Sequence, residues 1–138
     1  MNTRFRLSAV VFLLMAPGWS PAMDSVEILS KPRAKELGLE IRSRAAGPDA
    51  VWVELEFALK GDLKDITHVD LEMWAGKTLL LSTLLRDRRP VPGRVAVGFI
   101  VARSELDKVI LKVMSQRGLG SVGYQLRVKD VVEPVKGG

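Results

Sequence analysis

The chain contains no cysteine, so neither a disulfide bond nor a thiolate metal site is available to it. A small domain without disulfides must be stabilised by its apolar core alone. The only histidine is His68, and the only asparagine is Asn2, which removes N-glycosylation acceptors from the rest of the chain. Because catalytic acids, bases and nucleophiles are scarce, we expect no catalytic residue and no cofactor.

Long hydrophobic runs are also missing, and the one near the N-terminus has the layout of a secretory signal peptide. This run is about half of the roughly 20 residues that span a bilayer, so we expect no transmembrane segment in the mature chain. Cleavage after Ala22 would make residues 1–22 the signal peptide and 23–138 a single domain. The elements of the layout are a basic start, an apolar run, a break and small residues: Arg4, Arg6, Leu7–Ala16, Pro17-Gly18 and Ser20-Pro21-Ala22.

The chain carries only a small excess of positive charge. The formal charge of +5 falls to +3 once Arg4 and Arg6 leave with the signal peptide. That excess is too small and too dispersed for nucleic-acid binding, which needs clustered phosphate contacts. We expect an envelope protein or glycan as partner, and the lack of cysteine and glycosylation acceptors favours a periplasmic or secreted bacterial protein.

The hydrophobic pattern has a period of two, which is typical of strands with one buried face. We predict an all-β fold, an antiparallel two-sheet β-sandwich of about eight strands with almost no helix. One helical turn at Ser104–Asp107 is expected to cross between the sheets. The predicted strands are 26–29, 37–44, 51–60, 66–75, 78–86, 94–101, 109–113 and 124–129. The predicted core is Val53, Leu55, Phe57, Val69, Leu71, Val97, Phe99, Leu111, Val113, Leu126 and Val128.

The strand number and lengths resemble an immunoglobulin-like or fibronectin-type sandwich, at the level of architecture. The cysteine pair of antibody domains is missing, and Trp52 lies at outward parity on its strand instead of in the core. The resemblance implies two packed sheets and no particular activity.

Residues 118–123 match the G-x-G-x-x-G pattern of dinucleotide sites. Such a site needs a helix after the glycines, whose amide groups hold the pyrophosphate. Here residues 124–130 alternate as a strand, so we predict a hairpin loop and no nucleotide site. His68 lies at outward parity and lacks the further ligands that zinc requires, so we expect a surface imidazole and no metal.

The candidate binding site comes from pairing residues 51–60 with 66–75 in a hairpin centred on Leu63. Trp52 would then face Trp74, and two pairs of carboxylates would lie beside them. The aromatic pair could stack on a sugar or cover a sandwich edge. The repulsion between these carboxylates could be offset by Lys112, Arg127 or Lys129, by a bound hard cation or by a basic partner. Alternatively, the two strands could pair in a different register. The candidate residues are Trp52, Trp74, Glu54, Glu56, Asp70 and Glu72.

A second, weaker candidate is the arginine-rich segment 86–94, which contains two prolines. Arginine binds carboxylate and phosphate through two parallel hydrogen bonds, so this loop could hold an anionic glycan or lipid. It could equally be a solvated connection. The residues are Arg86, Arg88, Arg89 and Arg94.

Three functional hypotheses remain open. The first is a non-enzymatic binding or scaffolding module of the cell envelope. The second is a glycoside hydrolase that uses two of the four carboxylates, which must lie about 5–9.5 Å apart. The third is an assembly subunit that pairs through an open sheet edge.

Overall fold

The computed structural model describes residues 25–88, 90–117 and 120–132, so the predicted signal peptide at 1–22 lies outside the described residues. The described chain is mostly β, with eight strands and few helices. The strands are β1 (Ser25–Ile28), β2 (Glu40–Ala45), β3 (Ala50–Ala58), β4 (His68–Ala75), β5 (Thr78–Leu85), β6 (Arg94–Ala102), β7 (Val109–Arg117) and β8 (Gly120–Arg127). The helices are α1 (Lys31–Leu37) and α2 (Val128–Val131), and two 3-10 segments are Gly61–Leu63 and Arg103–Lys108.

The strands form a five-stranded sheet in the order β1-β8-β7-β4-β5 and a three-stranded sheet in the order β2-β3-β6. This confirms the predicted all-β class, and the two-sheet arrangement fits a β-sandwich. All strand pairs are antiparallel except β1 with β8. These two strands are far apart in sequence, so no tight turn dictates their relative direction. The prediction of wholly antiparallel sheets is wrong at this one edge.

The core lies on the inward-facing positions of both sheets, as the alternation predicts. Every predicted core residue is buried, including Phe57 at 1% exposure. The apolar cluster extends beyond those eleven residues to Leu29, Ala34 and Leu39 around α1. Burial of this kind contributes on the order of 1.5–3 kcal/mol for each large side chain, which is the stabilisation that a chain without disulfides needs.

Helix α1 corrects the prediction of a strand at residues 37–44, which begins at Glu40 instead. The Ser30 side chain accepts a hydrogen bond from the backbone N–H of Arg33 at 3.3 Å and caps the first turn. Gly38, at φ +86°, ends the helix. The N–H groups of Gly38 and Leu39 donate to the carbonyls of Lys35 and Ala34, forming a Schellman cap. These capping residues are present in the sequence, but the Lys31-Pro32 pair after Ser30 is also typical of a turn.

The predicted hairpin between residues 51–60 and 66–75 does not form. Strand β3 belongs to the three-stranded sheet and β4 to the five-stranded sheet. Between them the 3-10 turn places Leu63 in the core, at 1% exposure. A buried apolar side chain at the turn directs the chain across the core instead of folding it back on β3. The second 3-10 segment, Arg103–Lys108, joins β6 to β7 and confirms the predicted crossing between the sheets.

The predicted hairpin connection is confirmed, but residues 120–123 of the glycine pattern belong to strand β8 and not to the loop that was predicted. Strands β7 and β8 pair out to Arg117 and Gly120, while 118–119 lie outside the described residues. Gly123 lies within β8, where a Cβ atom would collide with the backbone carbonyl of Val113. Its role is therefore close strand packing rather than phosphate binding. No helix among the described residues is long and apolar enough to cross a membrane.

Candidate functional site

The two candidate tryptophans do not meet. Trp52 is on the outer face of the three-stranded sheet, opposite Arg44 of β2 and Ile100 of β6. Trp74 is on the outer face of the other sheet, opposite Leu79 of β5. The shared Trp52–Trp74 platform is therefore wrong. The hydrophobic alternation correctly indicates that both indoles point outward. It does not indicate to which of the two sheets each tryptophan belongs.

The indole of Trp52 lies against the backbone of Gly98, because a Cβ atom added at Gly98 would overlap the ring. The guanidinium of Arg88 stacks above the ring, 4.3 Å from its centroid, and that of Arg44 lies at 5.7 Å. Cation–π contacts of this kind contribute about 0.5–1 kcal/mol at exposed sites. The ring therefore has a cation over it and a backbone beneath it, and it is not an open platform for a sugar.

The indole of Trp74 is held by a short polar network. Its Nε1–H donates to Oε2 of Glu72 at 2.8 Å, and Lys112 Nζ lies 3.1 Å from Oε1 of the same carboxylate. Glu72 is only 9% exposed, so this carboxylate is buried with both oxygens occupied. Lys112 is one of the three cations that the sequence offered as neutralising partners for the candidate carboxylates.

The remaining carboxylates of the candidate site also have partners. Glu56 accepts hydrogen bonds from Arg94 at 2.7 and 3.2 Å, and Asp70 Oδ2 lies 3.3 Å from His68 Nε2. Glu54 accepts a longer hydrogen bond, 3.4 Å, from Trp52 Nε1. Glu54 and Glu56 are on one sheet and Asp70 and Glu72 on the other, so the predicted four-carboxylate patch does not exist. Within the described residues no group of three or more metal-ligating side chains is present.

The arginine-rich loop does not gather its side chains around one point. Arg88 stacks on Trp52, and Arg94 binds Glu56. Arg86 is exposed, and Arg89 lies outside the described residues. The loop is instead anchored to the edge of β6, where the Arg88 N–H donates to the carbonyl of Ala96 at 2.7 Å.

Sequence reasoning identified β5 as a strand but missed its exposure. Every residue before Leu85 is exposed, although four of them are leucines. The exposed fractions are 45% for Leu79, 55% for Leu80, 44% for Leu81 and 59% for Leu84. The available signal was the run of three leucines, which breaks the alternation of a half-buried strand.

A small cleft beside Trp74 was also missed. Its volume is about 210 Å³, and its walls include Ile110, Arg127 and Lys129. The sequence indicated that Arg127 and Lys129 point outward, but it assigned them to neutralising the acidic face. In the structure they flank the indole instead.

Comparison with known proteins gave no matching family model, no matching curated protein and no matching solved structure. The chemistry and geometry of the surfaces described above are therefore the basis for inferring function.

Proposed function

We propose that this protein is a non-enzymatic, exported β-sandwich module of the bacterial cell envelope that assembles with a second copy of itself through β5. The observation that carries the proposal is the long, uncharged and exposed edge strand Thr78–Leu85. The signal-peptide layout of residues 1–22 supports export. A non-enzymatic role is supported by the four candidate carboxylates, each of which is engaged with a neighbouring side chain.

The strand order supports an immunoglobulin-like architecture. When β2 to β8 are labelled A, B, C, C′, E, F and G in chain order, the sheets become A-B-E and G-F-C-C′. Immunoglobulin domains place A, B and E in one sheet and C, F and G in the other, and variable-type domains add C′ beside C. Strand β1 is then an additional strand parallel to G. In this scheme β5 is C′, the free edge of the larger sheet.

Three of the four sheet edges in the described chain have features that oppose edge-to-edge pairing. Strand β1 is only four residues long, and the edge of β6 is capped at Ala96 by the segment that carries Arg88. Strand β2 carries charged side chains at Glu40, Arg42 and Arg44. Short strands, covered edges and charges are the usual protections against association. Strand β5 has none of these three protections, and its one irregularity is a bulge at Leu80, where the register with β4 shifts between Met73 and Trp74.

The uncharged sequence of β5 fits a second copy of the same strand. Antiparallel pairing about a two-fold axis perpendicular to the sheet brings like faces together. With the axis at Ser82, Leu80 of each copy meets Leu84 of the other, and Leu81 meets Thr83. Apolar side chains thus pair across the axis and no like charges meet within β5, which favours self-association in this register.

The two-fold arrangement would join two five-stranded sheets into one continuous sheet. It would supply hydrogen-bond partners to the free edge of β5 and cover its exposed leucines. A run of exposed leucines on an edge strand is the kind of apolar surface that often takes part in binding. A separate glycosidase function finds no support, because no two free carboxylates face each other across a cleft in the described structure.

Light-scattering mass measurements over a wide concentration range test this function. We expect the wild-type protein to be a dimer that dissociates on dilution. Leu84→Lys should weaken the dimer by at least about tenfold, because it places a charge opposite Leu80 of the partner. Leu84 is 59% exposed, so the substitution does not disturb the core.

The matched control is Ile100→Lys, which changes an apolar residue of 64% exposure on the other sheet. It should leave the dimer unchanged. A wild-type protein that is monomeric at every concentration would overturn the proposal, as would equal weakening of the dimer by both substitutions.

A further inference from the structure

The cleft beside Trp74 combines a flat aromatic wall with unpaired positive charge. It lies on the outer face of the five-stranded sheet beside the turn between β4 and β5, because Gly76 lines it and Trp74 pairs with Leu79 at the start of β5. Strands β4, β7 and β8 contribute Trp74, Ile110 and Arg127. Lys129 comes from helix α2, and Lys108 comes from the 3-10 segment before β7. Asp107 is the one acidic residue that lines it.

The aromatic wall is fixed in orientation before any ligand arrives. The Trp74 indole is tied to Glu72 at 2.8 Å, and the Glu72 carboxylate is bound by Lys112 at 3.1 Å. Because Glu72 is buried, neither contact is readily exchanged for water. A side chain that is already immobilised loses little conformational entropy on binding, which is a property of preorganised sites.

The lining of the cleft contains more cations than carboxylates. Arg127 and Lys129 have no ion-pair partner among the described residues. Lys108 is paired with Glu105 at 2.8 Å, and this hydrogen bond raises the pKa of Lys108, so it stays protonated. With Asp107 as the only carboxylate in its lining, the cleft has a net positive charge and favours an anionic ligand.

We propose that this cleft binds a carboxylated pyranose, such as a uronic acid unit of an acidic glycan. The C–H groups on one face of the sugar ring would rest on the indole, whose π face is negatively polarised. The carboxylate would accept paired hydrogen bonds from the Arg127 guanidinium, with Lys129 adding its charge. Asp107 can accept hydrogen bonds from sugar hydroxyls. The cleft's volume of about 210 Å³ suits one ring and not a long chain segment.

A carboxylated sugar fits this cleft better than a simple anion does. An inorganic anion needs only the cations and gains nothing from the Trp74 and Ile110 surfaces. A neutral sugar could use those surfaces but would leave Arg127 and Lys129 without a partner. The proposed ligand contacts both the apolar surface of Trp74 and Ile110 and the cations Arg127 and Lys129.

The test is a titration with a galacturonic acid trimer, followed by NMR of the indole Nε1–H signals. The neutral galactose trimer and inorganic phosphate serve as comparison ligands. Each indole signal is assigned by a single Trp→Phe substitution in the full chain. We expect the acidic trimer to shift the Trp74 signal and to leave the Trp52 signal in place.

Arg127→Gln should weaken binding of the acidic trimer by about ten- to hundredfold, the effect of losing charge-assisted hydrogen bonds. Trp74→Ala should also weaken it, while the unchanged Trp52 signal reports that the chain remains folded. Lys64→Gln is the matched control, since Lys64 is an exposed cation in the turn between the sheets, and it should bind normally.

Several results would overturn this assignment. They are the absence of any shift up to about 10 mM acidic trimer, an equal response to the neutral trimer, or an equal response to phosphate alone. A shift confined to Trp52 would also contradict it. Since Leu84→Lys does not touch this cleft, a failure of the β5 dimer would leave the result of this titration unaffected.

Discussion

Two strand glycines, one in each sheet, show how much a single Cβ atom decides in this structure. Gly98 lies under the Trp52 ring, and Gly123 lies against the backbone of β7. An indole can swing outward to make room, because a side chain and not backbone lies over its outer side. A backbone carbonyl held in a strand ladder cannot move without breaking its pairing. The same substitution should therefore have different costs at the two sites.

We predict that Gly123→Ala destabilises the protein by about 1–3 kcal/mol or more, the usual cost of overpacking. Gly98→Ala should cost less, and it should increase the solvent exposure of Trp52 as the ring leaves its place under Arg88. Urea unfolding gives both free energies, and fluorescence quenching reports the exposure of Trp52. Equal costs at the two positions would contradict this account of the contacts.

At the scale of the element, the turn between β3 and β4 determines which sheet each strand joins. Leu63 lies at the centre of that turn and is buried in the core. A polar turn at this position would favour a hairpin, whereas burial of Leu63 draws the chain across the core to the second sheet. The separation of Trp52 from Trp74 follows from this one turn.

We expect Leu63→Ala to lower the free energy of unfolding by about 2–5 kcal/mol, the range for large-to-small substitutions at buried sites. Asp62→Ala, at the exposed neighbouring position, is the matched control and should change it by less than about 0.5 kcal/mol. Chemical denaturation measures both values. A small effect at Leu63 would show that the turn does not anchor the crossing.

The elements also show what the sequence could and could not predict. Period-two alternation identified the core and the outward faces, because it depends only on local strand geometry. Strand partners depend on contacts between distant residues, so the same pattern could not assign Trp52 and Trp74 to different sheets. The caps of helix α1 at Ser30 and Gly38 are visible in the sequence, but Lys31-Pro32 is equally typical of a turn, so the pattern did not predict the helix. The Trp74 cleft depends on three strands and could not be predicted at all.

At the scale of the whole molecule, the two sheets are unequal in width. Five strands face three, and the described part of the chain places no strand beside β5 on its free side. Its inward positions, Leu81 and Thr83, remain exposed for the same reason. This asymmetry, and not the sequence of β5 alone, leaves the strand exposed for the proposed pairing. A second copy would complete both the hydrogen-bonding edge and the apolar face.

The most direct measurement of this claim is disulfide formation by Ser82→Cys. The chain has no cysteine, so this variant carries the only thiol. With the two-fold axis at Ser82, the paired Cα atoms would lie about 4.5–5.5 Å apart, within the range of a disulfide. Mild oxidation should convert the variant to a covalent dimer, whereas Ser104→Cys, an exposed position in the 3-10 segment before β7, should remain monomeric. If both variants cross-link equally, or Ser82→Cys does not cross-link, β5 does not pair with itself about Ser82.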